Sequence, residues 1–193
     1  NALPLSLAPA VAELDREGLL QESAAWAVAS GALYNAMWKS TIEDMRTRRY
    51  ISGYAWWTMY SYPGCAQGVL TADFKTKAVT PAQLQPFNAD AVLLLAGLPR
   101  FVSASSISTS DQIAVRLSIS NYLPSALALG SATVQWDLQR CETNSTTTPY
   151  ESGRWTPNVT TGPQGDITSI GSWSVPVPVV PVPTCVSLQV SVH

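Results

Sequence analysis

The spacing of apolar residues changes character once along this chain, near Asn88. Before that point, Gln21 to Arg49 repeats at helical intervals. Trp26, Ala29, Leu33 and Met37 follow one face, and Trp38, Ile42 and Met45 widen the stripe at i, i+4 and i+7. Two tryptophans on one helix call for partner surfaces on both flanks, as an outer helix of a barrel receives from the sheet and from its neighbour. Lys39, Glu43, Asp44 and Arg46 form the opposite, solvated side. Tyr50 to Thr58 then runs almost continuously apolar around ISGYAWW, the pattern of a strand covered on both faces in a parallel sheet. Gly53 inside it marks a close approach. Alternation sends Trp56 and Trp57 to opposite faces, so at most one of them lines a pocket. Met59 to Gly68, with Tyr60, Tyr62, Pro63 and Gly64, reads as an aromatic loop after the strand.

Beyond Asn88 the period shortens to two. Phe101 to Ile107, Gln112 to Asn121, Ala132 to Gln139, Gly153 to Thr160, Ile167 to Val175 and Cys185 to Val192 are short β-branched runs separated by turn residues, the signature of an antiparallel β-sandwich. Ile113, Val115, Leu117 and Ile119 point one way, with Ala114, Arg116, Ser118 and Ser120 the other; Val134 and Trp136 share a face. The valine and proline alternation of Val175 to Pro183 suits a linker, an edge strand or an extended connection. The reading is therefore α/β plus all-β, in two parts, 1–88 and 89–193.

Composition narrows the chemistry. The chain has 193 residues and a formal net charge of −2, which gives no electrostatic reason to expect nucleic acid or an anionic membrane as partner. Its longest strongly apolar run, Ala91 to Leu98, is far short of the roughly 20 residues of a membrane helix. The one histidine, His193, is the last residue, where chains fray, which argues against Ser-His-Asp and Cys-His catalysis. Three cysteines without CxxC spacing argue against a zinc site. Gly64 and Gly68, separated by CAQ, fit neither nucleotide fingerprint. No metal and no cofactor is expected.

The order AVASGALYNAMWKSTIEDMRTRRYISGYAWWTMYSYPG, followed by GVLTADFKTK, resembles the closing part of the catalytic barrel of glycoside hydrolase family 2. That family includes β-galactosidases, β-glucuronidases and β-mannosidases. The resemblance implies that Ser30-Gly31, the Lys39 to Glu43 face and the arginine cluster belong to the last long helix of a (β/α)8 barrel, and that Ile51 to Thr58 is its eighth strand. It places Trp57 beside a sugar subsite, with Tyr60, Ser61 and Tyr62 shaping the entrance, and gives Asp73 and Lys77 structural roles. SISNYLPSALALGSATVQWDL resembles the immunoglobulin-like sandwich that follows that barrel. The implied partner is a carbohydrate substrate.

Two departures matter. Many relatives carry an aspartate where this chain has Ser61, so their substrate preference does not transfer. Family members retain configuration through two glutamates about 5 to 5.5 Å apart, and those lie on earlier barrel strands. Glu13, Asp15, Glu17 and Glu22 read instead as a polar lead-in that caps the helix, Glu43 and Asp44 as part of its solvated face, and Asp73 as following the loop. The expectation is a C-terminal fragment of a retaining exo-glycosidase, cut from a longer protein ahead of Asn1, inactive alone, partnered by its missing N-terminal part, with open apolar faces at the Trp26 stripe and at Ile51 to Trp57. The rivals are a non-catalytic carbohydrate-binding sandwich and a structural or adhesive domain.

Two marks bear on compartment. Asn144-Ser145-Thr146 and Asn158-Val159-Thr160 are N-glycosylation triplets. Cys141 and Cys185 are placed for the sandwich to join them, leaving Cys65 single. Both point to a secreted or lysosome-like setting.

Overall fold

The computed structural model describes residues 8–62, 67–77, 79–98, 111–141, 149–178 and 184–193. The chain divides into two compact units, Asn1–Ala89 and Asp90–His193.

The first unit is helical and irregular. Helix α1 (Ala8–Arg16) leads through a 3-10 turn (Leu20–Glu22) into α2 (Ser23–Arg46), and α3 (Pro81–Asn88) closes the unit. The acids ahead of α2 do not cap it, contrary to the sequence reading. Glu22 stands at the N-cap without a side-chain cap bond, and Arg16 instead draws Glu13 and Glu17 into ion pairs. Capping chemistry appears at α3, which no periodicity announced. Thr80 Oγ1 accepts from the Gln83 amide at 3.3 Å while the Gln83 side chain accepts from the Thr80 amide at 2.9 Å. Pro81 then occupies the first turn, where its missing N–H costs nothing.

The apolar stripe of α2 splits. Trp38 and Ile42 are buried with Phe87 of α3, and Tyr34, Val69 and Leu84 pack against them. Trp26, Val28, Leu33 and Met37 are exposed. The expected strand at Ile51 to Thr58 is corrected: that segment has no strand structure. An apolar run becomes a strand only when a neighbour completes its backbone hydrogen bonds, and no ladder flanks this one among the described residues. A barrel segment is therefore not shown. What pairing there is begins just afterwards, as isolated bridges from Tyr60 to Leu70 (parallel) and from Leu70 to Thr76 (antiparallel).

The second unit holds two antiparallel three-stranded sheets. β1 (Ala91–Ala96), β2 (Gln112–Asn121) and β5 (Asp166–Pro176) form one in the order β1-β2-β5. β3 (Val134–Arg140), β4 (Glu151–Trp155) and β6 (Val186–Val192) form the other in the order β4-β3-β6. Leu117, Ile119 and Ile170 from the first sheet share a core cluster with Val134 of the second, and Val115 and Val175 share another with Trp136 and Leu138. The arrangement is β-sandwich-like, and the inward set Val115, Leu117 and Ile119 follows the period of two.

Departures from that period have local causes. β1 read in the sequence only as an apolar run. Its Val92 and Leu94 are opposite Ser120 and Ser118 and are buried, so Ser120, expected on the wet face, is fully buried too. A register shift beside Leu117 and Ser118 leaves Ile170 as the extra residue of β5. β4 ends at Trp155 rather than running to Thr160. Past Pro157, which has no N–H to offer a ladder, the chain turns to a different partner: Leu129 and Thr161 amides donate to Val159 and Leu127 carbonyls, both at 2.9 Å. The amide and carbonyl of His193 pair with Thr133 as one further rung beyond Val134 and Val192. The predicted strand at Phe101 to Ile107 lies outside the described residues.

Candidate functional site

The segment from Thr58 to Lys77 places the sequence-predicted sugar contacts. It is held by its backbone rather than by a sheet: the Val69 amide donates to Thr58, Leu70 to Met59 and Ser61 to Leu70, at 2.9 to 3.1 Å. Gly68 is the residue that permits this crossing, because a Cβ there would run into the backbone of Tyr60 and Ser61. The Lys77 ammonium donates to Ser61 Oγ at 3.1 Å and to the Gly68 carbonyl at 3.0 Å, tying three segments together. Ser61 is buried and acts as an acceptor inside this tie, rather than as a group open to ligand.

Around it the aromatic residues face outward. Trp57 is 74% exposed and Tyr60 and Tyr62 are 45% exposed. Tyr60 leans on Phe74 with ring centroids 4.9 Å apart. Phe74 takes a positive φ of 60°, at the turn where Thr71 Oγ1 meets the Asp73 carboxylate at 2.6 Å. Lys75 pairs with Asp73 at 2.6 Å. The Lys75 hydrogen bond first, and that from Thr71 second, hold the Asp73 carboxyl down at about 2. Asp73 and Lys77 thus both do structural work in this loop. The peptide between Trp57 and Thr58 is cis.

Trp56, 38% exposed, is the more covered of the two adjacent tryptophans. It packs on Trp38 with ring centroids 3.9 Å apart and planes at 64°, and Tyr34 meets Trp38 at 4.9 Å. Burial raises the Tyr34 phenol above its usual range, with Trp38 acting against that rise. A cavity of about 310 Å³ is lined by Trp38, Tyr54, Trp56, Met59, Leu84 and Asn88, among others. The Tyr54 hydroxyl donates to the Asn88 side chain at this lining. Trp57, Tyr60, Ser61 and Tyr62 are not part of it. Alternation allowed at most one of the two adjacent tryptophans to line a pocket, but it presumed a strand that is not formed here; the one that lines this apolar cavity is Trp56.

Five carboxylates of the first unit meet cations. Glu13 and Glu17 pair with Arg16, Glu43 with Lys39, Asp44 with Arg48 and Asp73 with Lys75. Among the described residues no cluster of three or more histidine, cysteine or acidic side chains is arranged to hold a metal. None of the described helices is long and apolar enough to cross a membrane.

In the second unit a disulfide joins Cys141 and Cys185. It sits one step beyond the Arg140 and Val186 pair, where the Cys141 amide donates to the Cys185 carbonyl at 3.0 Å. Asn158 is exposed in the connection after β4. Asn144 and Cys65 lie outside the described residues.

Sequence reasoning missed Asn121. It is fully buried, and its side-chain amide donates to Ser125 O, Thr161 Oγ1 and Gly162 O at 3.1, 3.3 and 3.2 Å while its oxygen accepts from the Leu123 amide at 3.0 Å. An asparagine ending a strand before Tyr-Leu-Pro was the available signal. No family model and no curated protein matches this chain.

Proposed function

We propose that this chain is the C-terminal part of a retaining exo-glycosidase acting on O-glycosidic bonds of carbohydrates or glycoconjugates. In this reading it supplies an aromatic wall of the saccharide site, and the two catalytic glutamates come from sequence ahead of it. The second unit is then the immunoglobulin-like sandwich that follows the catalytic barrel. The observation that carries the proposal is the exposure of Trp57 beside Tyr60 and Tyr62, on a loop whose backbone is fastened by Lys77. A large flat ring exposed to water suits the apolar C–H face of a pyranose, and the phenols offer hydrogen bonds to its hydroxyls. The pairing of Glu13, Glu17, Glu43, Asp44 and Asp73 with cations fits a role in binding rather than in proton transfer.

The test is saccharide titration followed by tryptophan fluorescence, together with an assay of aryl β-glycoside turnover. Weak saturable binding that is lost in Trp57→Ala, without turnover, is expected. Hydrolysis by homogeneous chain would overturn the division of labour. Binding unaffected by Trp57→Ala would transfer the function to a structural or adhesive role. If the chain joined to upstream sequence with two strand-end glutamates bound sugars without cleaving them, the rival of a non-catalytic carbohydrate-binding protein would replace the hydrolase.

A further inference from the structure

We infer that Asn158 is a site of N-linked glycosylation, the acceptor of a preassembled oligosaccharide in an oxidising secretory lumen. A triplet by itself is common, and what distinguishes this one is where the fold puts its three residues. Asn158 and Thr160 are exposed while Val159 between them is partly buried and packs against the sandwich core. The extended backbone is fixed by the Leu129 amide donating to the Val159 carbonyl and by the bridge of Thr160 to Ala128. Period-two alternation therefore sends the amide of Asn158 and the hydroxyl of Thr160 to the same, solvent side. Those are the two groups that the acceptor triplet requires, and the middle residue is not proline.

The folded chain accommodates the product. A sugar on the Asn158 amide nitrogen would project into water from a connection that has already left β4, so no ladder hydrogen bond and no core contact is displaced. Pro157 just before it is buried and Thr161 just after it is 3% exposed and accepts from the Leu127 amide at 2.7 Å. The connection is anchored on both sides of the acceptor.

An independent observation points to the same compartment. Cys141 and Cys185 are both exposed and joined in a disulfide, a bond that persists in secretory and extracellular settings and not among reduced cytosolic thiols. Disulfide formation and N-glycosylation occur in one lumen, so the two marks support each other without sharing a residue. This inference stands apart from the saccharide-site reading.

The experiment is secretion of the full chain from eukaryotic cells behind a signal peptide. Peptide mapping follows, with enzymatic deglycosylation in heavy-oxygen water, which converts an occupied asparagine to a mass-labelled aspartate. Most Asn158 peptides are expected to carry the label. Asn158→Gln and Thr160→Ala each remove one glycan-sized step from the intact mass, and Thr160→Ser keeps it. Asn144→Gln isolates the Asn158 contribution. If a variant is not secreted, mapping of the unmutated chain, cell-associated and secreted, still decides. Unlabelled Asn158 in disulfide-bonded chain, or label confined to Asn144, overturns the inference.

Discussion

Trp38 of α2 and Trp56 of the following loop meet edge to face, with ring centroids 3.9 Å apart. That contact gives Trp56, which keeps 38% of its surface exposed, a packing partner on the helix. Trp56 is committed to the helix, and Trp57, one residue on, is left 74% exposed. The pair also forms part of the lining of the apolar cavity, so the same contact separates packing from candidate binding.

Replacing each tryptophan should therefore have opposite effects. Trp56→Ala removes a ring packed on a buried partner and is expected to destabilise the first unit by about 2–4 kcal/mol. Trp57→Ala is expected to stay within about 0.5 kcal/mol of the parent while losing saccharide binding. Urea denaturation with parallel sugar titration checks both. Equal destabilisation by the two changes would mean that Trp57 is packed after all.

The tie at Lys77 can be cut in two ways. Ser61→Ala takes one acceptor from the ammonium and should cost about 1.5–3 kcal/mol, the range for a hydrogen bond to a charged group. Gly68→Ala should cost more, because the added methyl meets the backbone of Tyr60 and Ser61 rather than a movable side chain. Thermal unfolding of the two variants gives the order, and a Gly68→Ala protein as stable as the parent would contradict the crossing described above.

Asn121 should be among the costliest single positions of the sandwich. Asn121→Ala leaves the Leu123 amide, and the carbonyls of Ser125 and Gly162, without this partner around a buried side chain. A loss of about 2–4 kcal/mol follows. Hydrogen exchange of the 121–127 and 161–166 connections should rise together, since one side chain fastens both.

Reduction addresses the sheet formed by β3 and β6. The Cys141 and Cys185 link spans a sequence separation of 44 residues, for which restriction of the unfolded chain predicts roughly 2–4 kcal/mol. Denaturation with and without reductant measures it, and a Cys141→Ser, Cys185→Ser chain should match the reduced protein and ignore reductant.

Acid should loosen the Thr71 to Lys75 turn within a defined window. Asp73 is held down at about 2 from an ordinary 3.8. A depressed carboxyl contributes stability that is complete above the unfolded value and fades as pH falls from about 4 through 2. Asp73→Asn should remove that part of the pH dependence, and the Asp73 carboxyl resonance, followed by NMR, should report the low midpoint directly.

The sandwich was legible because its strands carry their instructions locally. Val115, Leu117 and Ile119 alternate with smaller or polar neighbours, and that period holds whichever strand lies beside them. The helix α2 was equally plain from its repeat. The site was less so. Trp56 and Trp57 are identical letters in one apolar run, and nothing in the run says that it lacks a neighbouring strand, that Trp38 lies ready to take the first ring, or that Ser61 turns inward to an ammonium sixteen residues on.

By itself the sequence determined periodicity, the all-β character after Asn88, the single histidine at position 193 and the residues available for a disulfide and a glycan. These follow from local sterics, side-chain spacing and composition. Only the tertiary structure decided where β4 stops, which serines are buried, which of the two tryptophans packs on Trp38 and that Asn121 fastens two loops. Each of those depends on which segment arrives to complete a hydrogen bond or cover a ring, and that is a property of partners distant along the chain.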